Sequence, residues 1–290
     1  MEPLEICAPE TWSSLQSRLH QADALSIGFA NLNGWKLSRT VILLSCIAAA
    51  FAFAAQAAAT NVSRGALWKV VQACVLNHAL TGASFPCLEV NVSDGNESGY
   101  VILRPPLSAS DLILAPTRPI IGVEDPSLLA WDSPNYFGDA WNSRRFLPGA
   151  AQKPLARDDV ALAVNSRQSR TQDQLHIHIG CLSSRAKQTI LALVPALPDS
   201  GWIPLGRPFR GLEFSGRLLV QENLAGINPF RLAAEAWPGA SEDRSQLTIA
   251  VAGIQLSDGR DGFVILASHH NPLGQYSVED FLDVSASSCL

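Results

Sequence analysis

From residue 41 to residue 59 the chain carries no charged side chain, and Gln56 is the only strongly polar one in the run. As a helix, nineteen such residues span roughly 28 Å, close to the hydrocarbon thickness of a bilayer. A helix packed in a water-soluble core normally keeps a polar stripe, and this run has none. The reading is a transmembrane anchor over 41–60. Lys36 and Arg39 precede it and favour a cytoplasmic N-terminus, although Arg64 and Lys69 follow closely. The competing reading is a cleaved leader, for which Ala55-Gln56-Ala57 has the small-x-small pattern. Under either reading, residues beyond about 60 leave the cytoplasm, and 1–40 form a cytoplasmic extension.

Export changes what the cysteines mean. Cys7 and Cys46 fall before or within the anchor, leaving Cys74, Cys87, Cys181 and Cys289 in the exported part. An even number in an oxidising compartment points to two disulfides, and four cysteines allow three pairings. The pairing adopted is Cys74–Cys87, closing a short loop, with Cys181–Cys289 holding the C-terminus. The rest of the chain has the make-up of a folded domain, with 47% apolar and 16% charged residues and a net charge of −5. That charge excludes the basic footprint of a nucleic-acid binder.

Beyond the anchor, Leu67, Val70, Val71, Cys74 and Val75 recur at helical spacing and predict a helix over 63–80. Strands are expected at 87–92 and 100–104, as a hairpin around the polar loop 93–99, and at 112–115, 160–165, 173–182, 212–220, 246–254 and 262–267. Further helices are expected from Pro134 to about Phe146, with Ser133 as N-cap, and over 184–194, 229–236 and about 278–282, with a short helical turn at 126–129. No repeat of fixed period is present. Strands and helices mixed in this irregular order argue for α+β rather than a doubly wound sheet.

The segment richest in chemistry is Leu175-His176-Ile177-His178-Ile179-Gly180-Cys181. On a strand, alternate side chains share a face, so His176 and His178 point one way while Leu175, Ile177 and Ile179 point into the core. Paired imidazoles suit metal ligation or a nucleophile beside an orienting partner. A zinc site needs three or four protein ligands, and no Asp or further His follows the pair closely. His269 and His270, the other close pair, read as an exposed loop.

Asn165 lies at the end of the preceding strand, and Gln172 lies in the loop leading to His176. With them, the His-x-His strand resembles the histidine triad superfamily, whose signature is His-φ-His-φ-His/Gln-φφ. The resemblance implies a triad-like antiparallel sheet with flanking helices, a core over about 61–195 and a C-terminal α+β extension over about 200–290. It implies that His178 is the nucleophile, that His176 orients the site, and that Asn165 and Gln172 contact phosphate or ribose. Gly180 departs from the signature at its third position. The segments Tyr100-Val101-Ile102-Leu103, Leu114-Ala115-Pro116-Thr117-Arg118, Pro134-Asn135-Tyr136-Phe137 and Asn165-Ser166-Arg167, with Arg170-Thr171-Gln172, are similar to the bacterial CDP-diacylglycerol pyrophosphatases over about 61–290. That likeness implies hydrolysis of CDP-diacylglycerol to CMP and phosphatidate, with no required metal, by an enzyme held on the periplasmic side of the inner membrane. Arg170 is the foremost candidate cation for the phosphates, with Arg167 and Arg118 behind it. Two other functions fit the same residues: an anchored nucleotide- or lipid-binding module without catalysis, and an exported metallohydrolase using His176 and His178 as ligands.

Overall fold

The computed structural model describes residues 64–105, 110–147, 155–209, 211–237, 243–269 and 276–282. The anchor, the N-terminal extension and Cys289 lie outside these residues. Among the described residues, no helix is long and apolar enough to cross a membrane.

Nine strands form one sheet, and every neighbouring pair is antiparallel. They are β1 (Glu89–Asn91), β2 (Tyr100–Leu103), β3 (Leu112–Pro116), β4 (Val160–Val164), β5 (Ile177–Cys181), β6 (Ile203–Gly206), β7 (Phe214–Leu219), β8 (Thr248–Gln255) and β9 (Asp261–Ser268). Their order is β1-β2-β3-β5-β4-β8-β9-β7-β6, so the expected core and C-terminal extension share a single sheet joined where β4 meets β8. Among the described residues four α-helices accompany it: α1 (Ala66–Thr81), α2 (Tyr136–Asn142), α3 (Ser184–Leu193) and α4 (Pro229–Glu235). The architecture is α+β.

Local signals explain most boundaries. Gly82 closes α1 in the left-handed conformation at φ 75°, a geometry that costs glycine little. Ser183 caps α3 by accepting from the Ala186 N–H. Ser133 was expected to cap the helix after it, but Asn135 does so, accepting from Gly138 N–H, and α2 starts at Tyr136. Strand β6 was not foreseen. Its burial alternates, and Pro204 and Gly206 mask the strand signal in a piece of four residues at the sheet edge. Cys74 and Cys87 are disulfide-bonded, as the pairing expected, and tie α1 to the approach to β1. Cys181 is disulfide-bonded too.

The two faces of the sheet are covered differently. One face carries a continuous apolar core in which α2 and α4 meet Leu162, Ile177, Ile179, Cys181, Val251 and Phe263. The opposite face has two separate clusters. In one, α1 covers Val101, Leu103, Ile113 and Ala115. In the other, α3 and the C-terminal turn cover Ala161, Ala163, Ala250, Val264 and Leu266. Between the two runs β5.

Candidate active site

The strip of sheet between the clusters is where the histidines stand. Ile177, Ile179 and Cys181 belong to the continuous core, so the alternation of β5 turns His178 and Gly180 to the other face. His176, just before the strand, follows the same alternation. Its ring meets that of His178 edge to face with centroids 5.1 Å apart, so the expected pairing on one face is present. In the register His178 lies between Ile113 of β3 and Ala163 of β4. The small side chains of Ala161 and Ala163 keep the neighbouring floor low. Both histidines are largely buried, at 7% and 9% exposure, so the surrounding protein sets their orientation.

His176 is oriented by the backbone. Its Nδ1 lies 2.7 Å from the carbonyl oxygen of Gln174. A carbonyl only accepts, so Nδ1 carries the proton and donates, which in the neutral ring leaves the lone pair on Nε2. Gln174 is itself fully buried, and its Nε2 donates to the carbonyls of Pro116 and Arg118, each at 3.0 Å. That bridge fixes the end of β3 against the start of β5, and with it the carbonyl that holds His176. The sequence reading missed Gln174. Its only local signal is a polar residue two positions before a strand histidine.

The other expected site residues divide into those near the pair and those committed to the scaffold. β4 ends at Val164 with Ala163 opposite His178, so the chain brings Asn165 to the level of His176. Its Oδ1 accepts from Ser277 Oγ and from the Val278 N–H, both at 2.9 Å, which pins the C-terminal segment beside the site. The Asn165 amide N–H groups are engaged by no described residue. Arg167 is exposed, and its guanidinium makes no hydrogen bond or ion pair with the described residues; its backbone N–H donates to Ser245 O at 2.7 Å.

Gln172 and Arg170 serve as fasteners. Gln172 Oε1 accepts the N–H of Leu67 at 2.9 Å, satisfying a donor in the first turn of α1. Arg170 is 5% exposed and grips Glu124 through two parallel hydrogen bonds of 2.7 Å, with Asp173 at 3.3 Å. Gly122 makes this possible, because a Cβ there would collide with the Arg170 guanidinium. Arg64 also binds Asp173, at 2.6 and 2.7 Å, and this holds the Asp173 carboxyl below its usual range. Two carboxylates thus neutralise Arg170, and the loop preceding β5 is bolted to the start of α1. Arg118 donates to Ser127 Oγ at 3.0 Å.

Gly180 has a structural counterpart for its missing side chain. A Cβ at Gly180 would lie 3.0 Å from Leu282 Cδ1 and 3.3 Å from Asp111 Oδ1. The space beside His178 is therefore filled from two other segments, one of which brings a buried carboxyl group. Among the described residues, no group of three or more His, Cys, Asp and Glu side chains is arranged to hold a metal ion.

Fold and site together define an antiparallel α+β protein with a paired-imidazole centre set in one strand. Comparison with known sequences takes this further. The profile of the CDP-diacylglycerol pyrophosphatase family matches residues 62–289, and the chain belongs to that family. It is 37% identical over 204 residues to the CDP-diacylglycerol pyrophosphatase of Yersinia pestis, an alignment covering 70% of this chain and 76% of that protein.

Proposed function

We propose that this protein hydrolyses CDP-diacylglycerol to CMP and phosphatidate through a nucleotidyl-histidine intermediate. Family membership supports the reaction, and the single observation that carries the chemistry is the hydrogen bond from His176 Nδ1 to the Gln174 carbonyl. It sets His176 Nε2 as a lone-pair nitrogen before substrate arrives, which is what a nitrogen nucleophile requires. The sequence signature assigned bond formation to His178. The hydrogen bond favours moving the frame by two residues, to Gln174-Leu175-His176-Ile177-His178-Ile179-Gly180, with His176 in the middle place. The same reading takes the fold as histidine-triad-like.

In this scheme His176 Nε2 attacks the phosphorus of the CMP moiety. The bond to the bridging oxygen breaks, and phosphatidate leaves with a proton supplied from His178. The Gln174 carbonyl stabilises the positive charge left on the phosphorylated imidazole. Water then attacks the same phosphorus, the Nε2–P bond breaks, CMP departs and a proton returns to His178. One difficult displacement becomes two easier ones. The Asn165 amide and Arg167 are the groups available to the phosphates; Arg170 and Gln172 contribute by holding the loop.

The catalytic part works on the exported face of the inner membrane, behind the anchor at 41–59. The Cys74–Cys87 bridge and the disulfide at Cys181 support an oxidising compartment.

Rapid quench with cytidine-labelled CDP-diacylglycerol tests the scheme. Wild-type protein should trap an acid-labile, base-stable label. His176→Ala should trap none and lose turnover by about 10⁴-fold or more, whereas His178→Ala should lose about 10²–10³-fold and still trap label. The reverse pattern would return the nucleophile to His178. Chelator-sensitive turnover would favour the metallohydrolase, and absence of CMP the binding module.

A further inference from the structure

Helix α1 has an outer face that the fold leaves bare. Leu67, Val71 and Cys74 are buried against the sheet, but Leu76 is 61% exposed and Leu80 75%. The disulfide folds the following segment back beside the helix end, where Phe85 is 78% and Leu88 44% exposed. Leu76 and Leu80 stand one turn apart on the side of α1 opposite its buried residues, and with Phe85 and Leu88 four large exposed apolar side chains fall within thirteen residues. Between Gly65 and Leu88 Lys69 is the only charged residue, and there is no carboxylate.

Three facts say what covers this patch. The charge-free run 41–59 ends five residues before Arg64, a length that reaches at most about 18 Å even when extended. The start of α1 is thus tethered close to whatever that run enters. The substrate of the proposed reaction is a bilayer lipid, and the argument rests on that reading. Finally, α1 lies on the histidine face: it packs on Ile113, and Ile113 is the register partner of His178, so both point the same way. The bare side of α1 therefore looks outward in the direction in which the catalytic strip opens. Gln172 and Asp173 join the beginning of α1 to the loop entering that strip.

We propose that the outer face of α1, with Phe85 in the disulfide-closed segment and Leu88 just beyond it, forms a lipid-docking surface. Leu76, Leu80 and Phe85 enter the boundary between headgroups and acyl chains. The catalytic strip then faces the headgroup layer, and the acyl chains of the substrate need not leave the bilayer while its pyrophosphate reaches the histidines. Lys69, exposed on the same helix, suits an anionic surface.

The test uses the full chain reconstituted into phosphatidylethanolamine–phosphatidylglycerol vesicles. An environment-sensitive fluorophore is placed at Leu80→Cys, at Phe85→Cys or, as a control on the β8–β9 turn, at Ser257→Cys. Quenchers fixed on the acyl chains should quench the labels at 80 and 85 strongly and the label at 257 little. Equal quenching at all three sites overturns the proposal, as does efficient chain-to-chain cross-linking through Leu80→Cys, which would make the patch a dimer contact. In a second arm, the combined Leu76→Glu, Leu80→Glu, Phe85→Glu variant should raise KM for vesicle-borne CDP-diacylglycerol by on the order of tenfold. Its kcat on a water-soluble short-chain analogue should match wild type, which also reports correct folding. Unchanged KM on vesicles overturns docking. If wild-type protein releases CMP from neither substrate, the reaction reading fails, and the quenching arm still decides the surface.

Discussion

The two halves of the sheet are built alike and used differently. In the first half, α2 falls between β3 and β4 in sequence, and β5 inserts between those strands in the sheet. In the second, α4 falls between β7 and β8, and β9 inserts between them. Only one of the two inserted strands carries paired imidazoles. On the face where β5 presents His176 and His178, β9 presents Val264 and Leu266, both fully buried. The difference lies in the cover. Val264 and Leu266 of β9 lie in the apolar cluster to which α3 and the C-terminal turn contribute, and a buried place of that kind demands apolar side chains. The two imidazoles on β5 stand between the clusters rather than inside either of them. Equivalent strands acquire unequal roles because the layer above them differs.

The largest effect on this contrast should come from the clamp that only the first half possesses. Arg170→Ala would leave Glu124 facing Asp173 without its cation, and the loss of a buried partner of this kind costs about 3 kcal/mol. Urea unfolding should show that loss, and CMP release should fall with it, because the loop that carries Gln174 is no longer held. Unaltered stability would mean that the site loop is fixed by Gln172 and Arg64 alone.

Grafting the histidine into the other half should be the next largest. Val264→His puts an imidazole with no partner into the apolar cluster on that face, for a loss of about 2–3 kcal/mol in unfolding free energy and no gain in CMP release. Stability equal to wild type would show that the cover over β9 is looser than the packing implies.

A smaller effect is expected at Asp139 in α2, which belongs to the first half. Burial, with Glu89 and Asp94 nearby, raises its carboxyl to about 6 from the ordinary 3.8. The folded protein therefore binds the proton more tightly than the unfolded chain. Stability from this group is complete below about pH 4 and declines as pH rises towards 6. Asp139→Asn should then stabilise the protein at pH 7.5 by somewhat under about 1 kcal/mol, after allowing for the partial exposure of the group, and leave it unchanged at pH 4. Thermal melts at the two pH values read the difference; equal shifts at both would remove the titration from the explanation.

Much of this molecule is written locally. The alternation Leu175-His176-Ile177-His178-Ile179 is enough to place two imidazoles on one face, because the period of a strand is a property of the backbone. The Cys74–Cys87 bridge is the short loop closure that the cysteine positions suggest, and the type of nearly every helix and strand follows from periodicity and caps. Only the tertiary structure decided which polar residues remain for chemistry. Gln172 and Arg170 stand in the sequence as ligand contacts. Their partners, Leu67 and Glu124, lie 105 and 46 residues away, and no local pattern announces such a pairing. The same holds for the filling of the space at Gly180 by Leu282 and Asp111, and for the topological repeat, which left no sequence period because one copy lies under an apolar cover and the other does not. Sequence fixes which groups share a face through short-range geometry. Whether a group is free to act depends on long-range burial and hydrogen bonding, which only the assembled fold supplies.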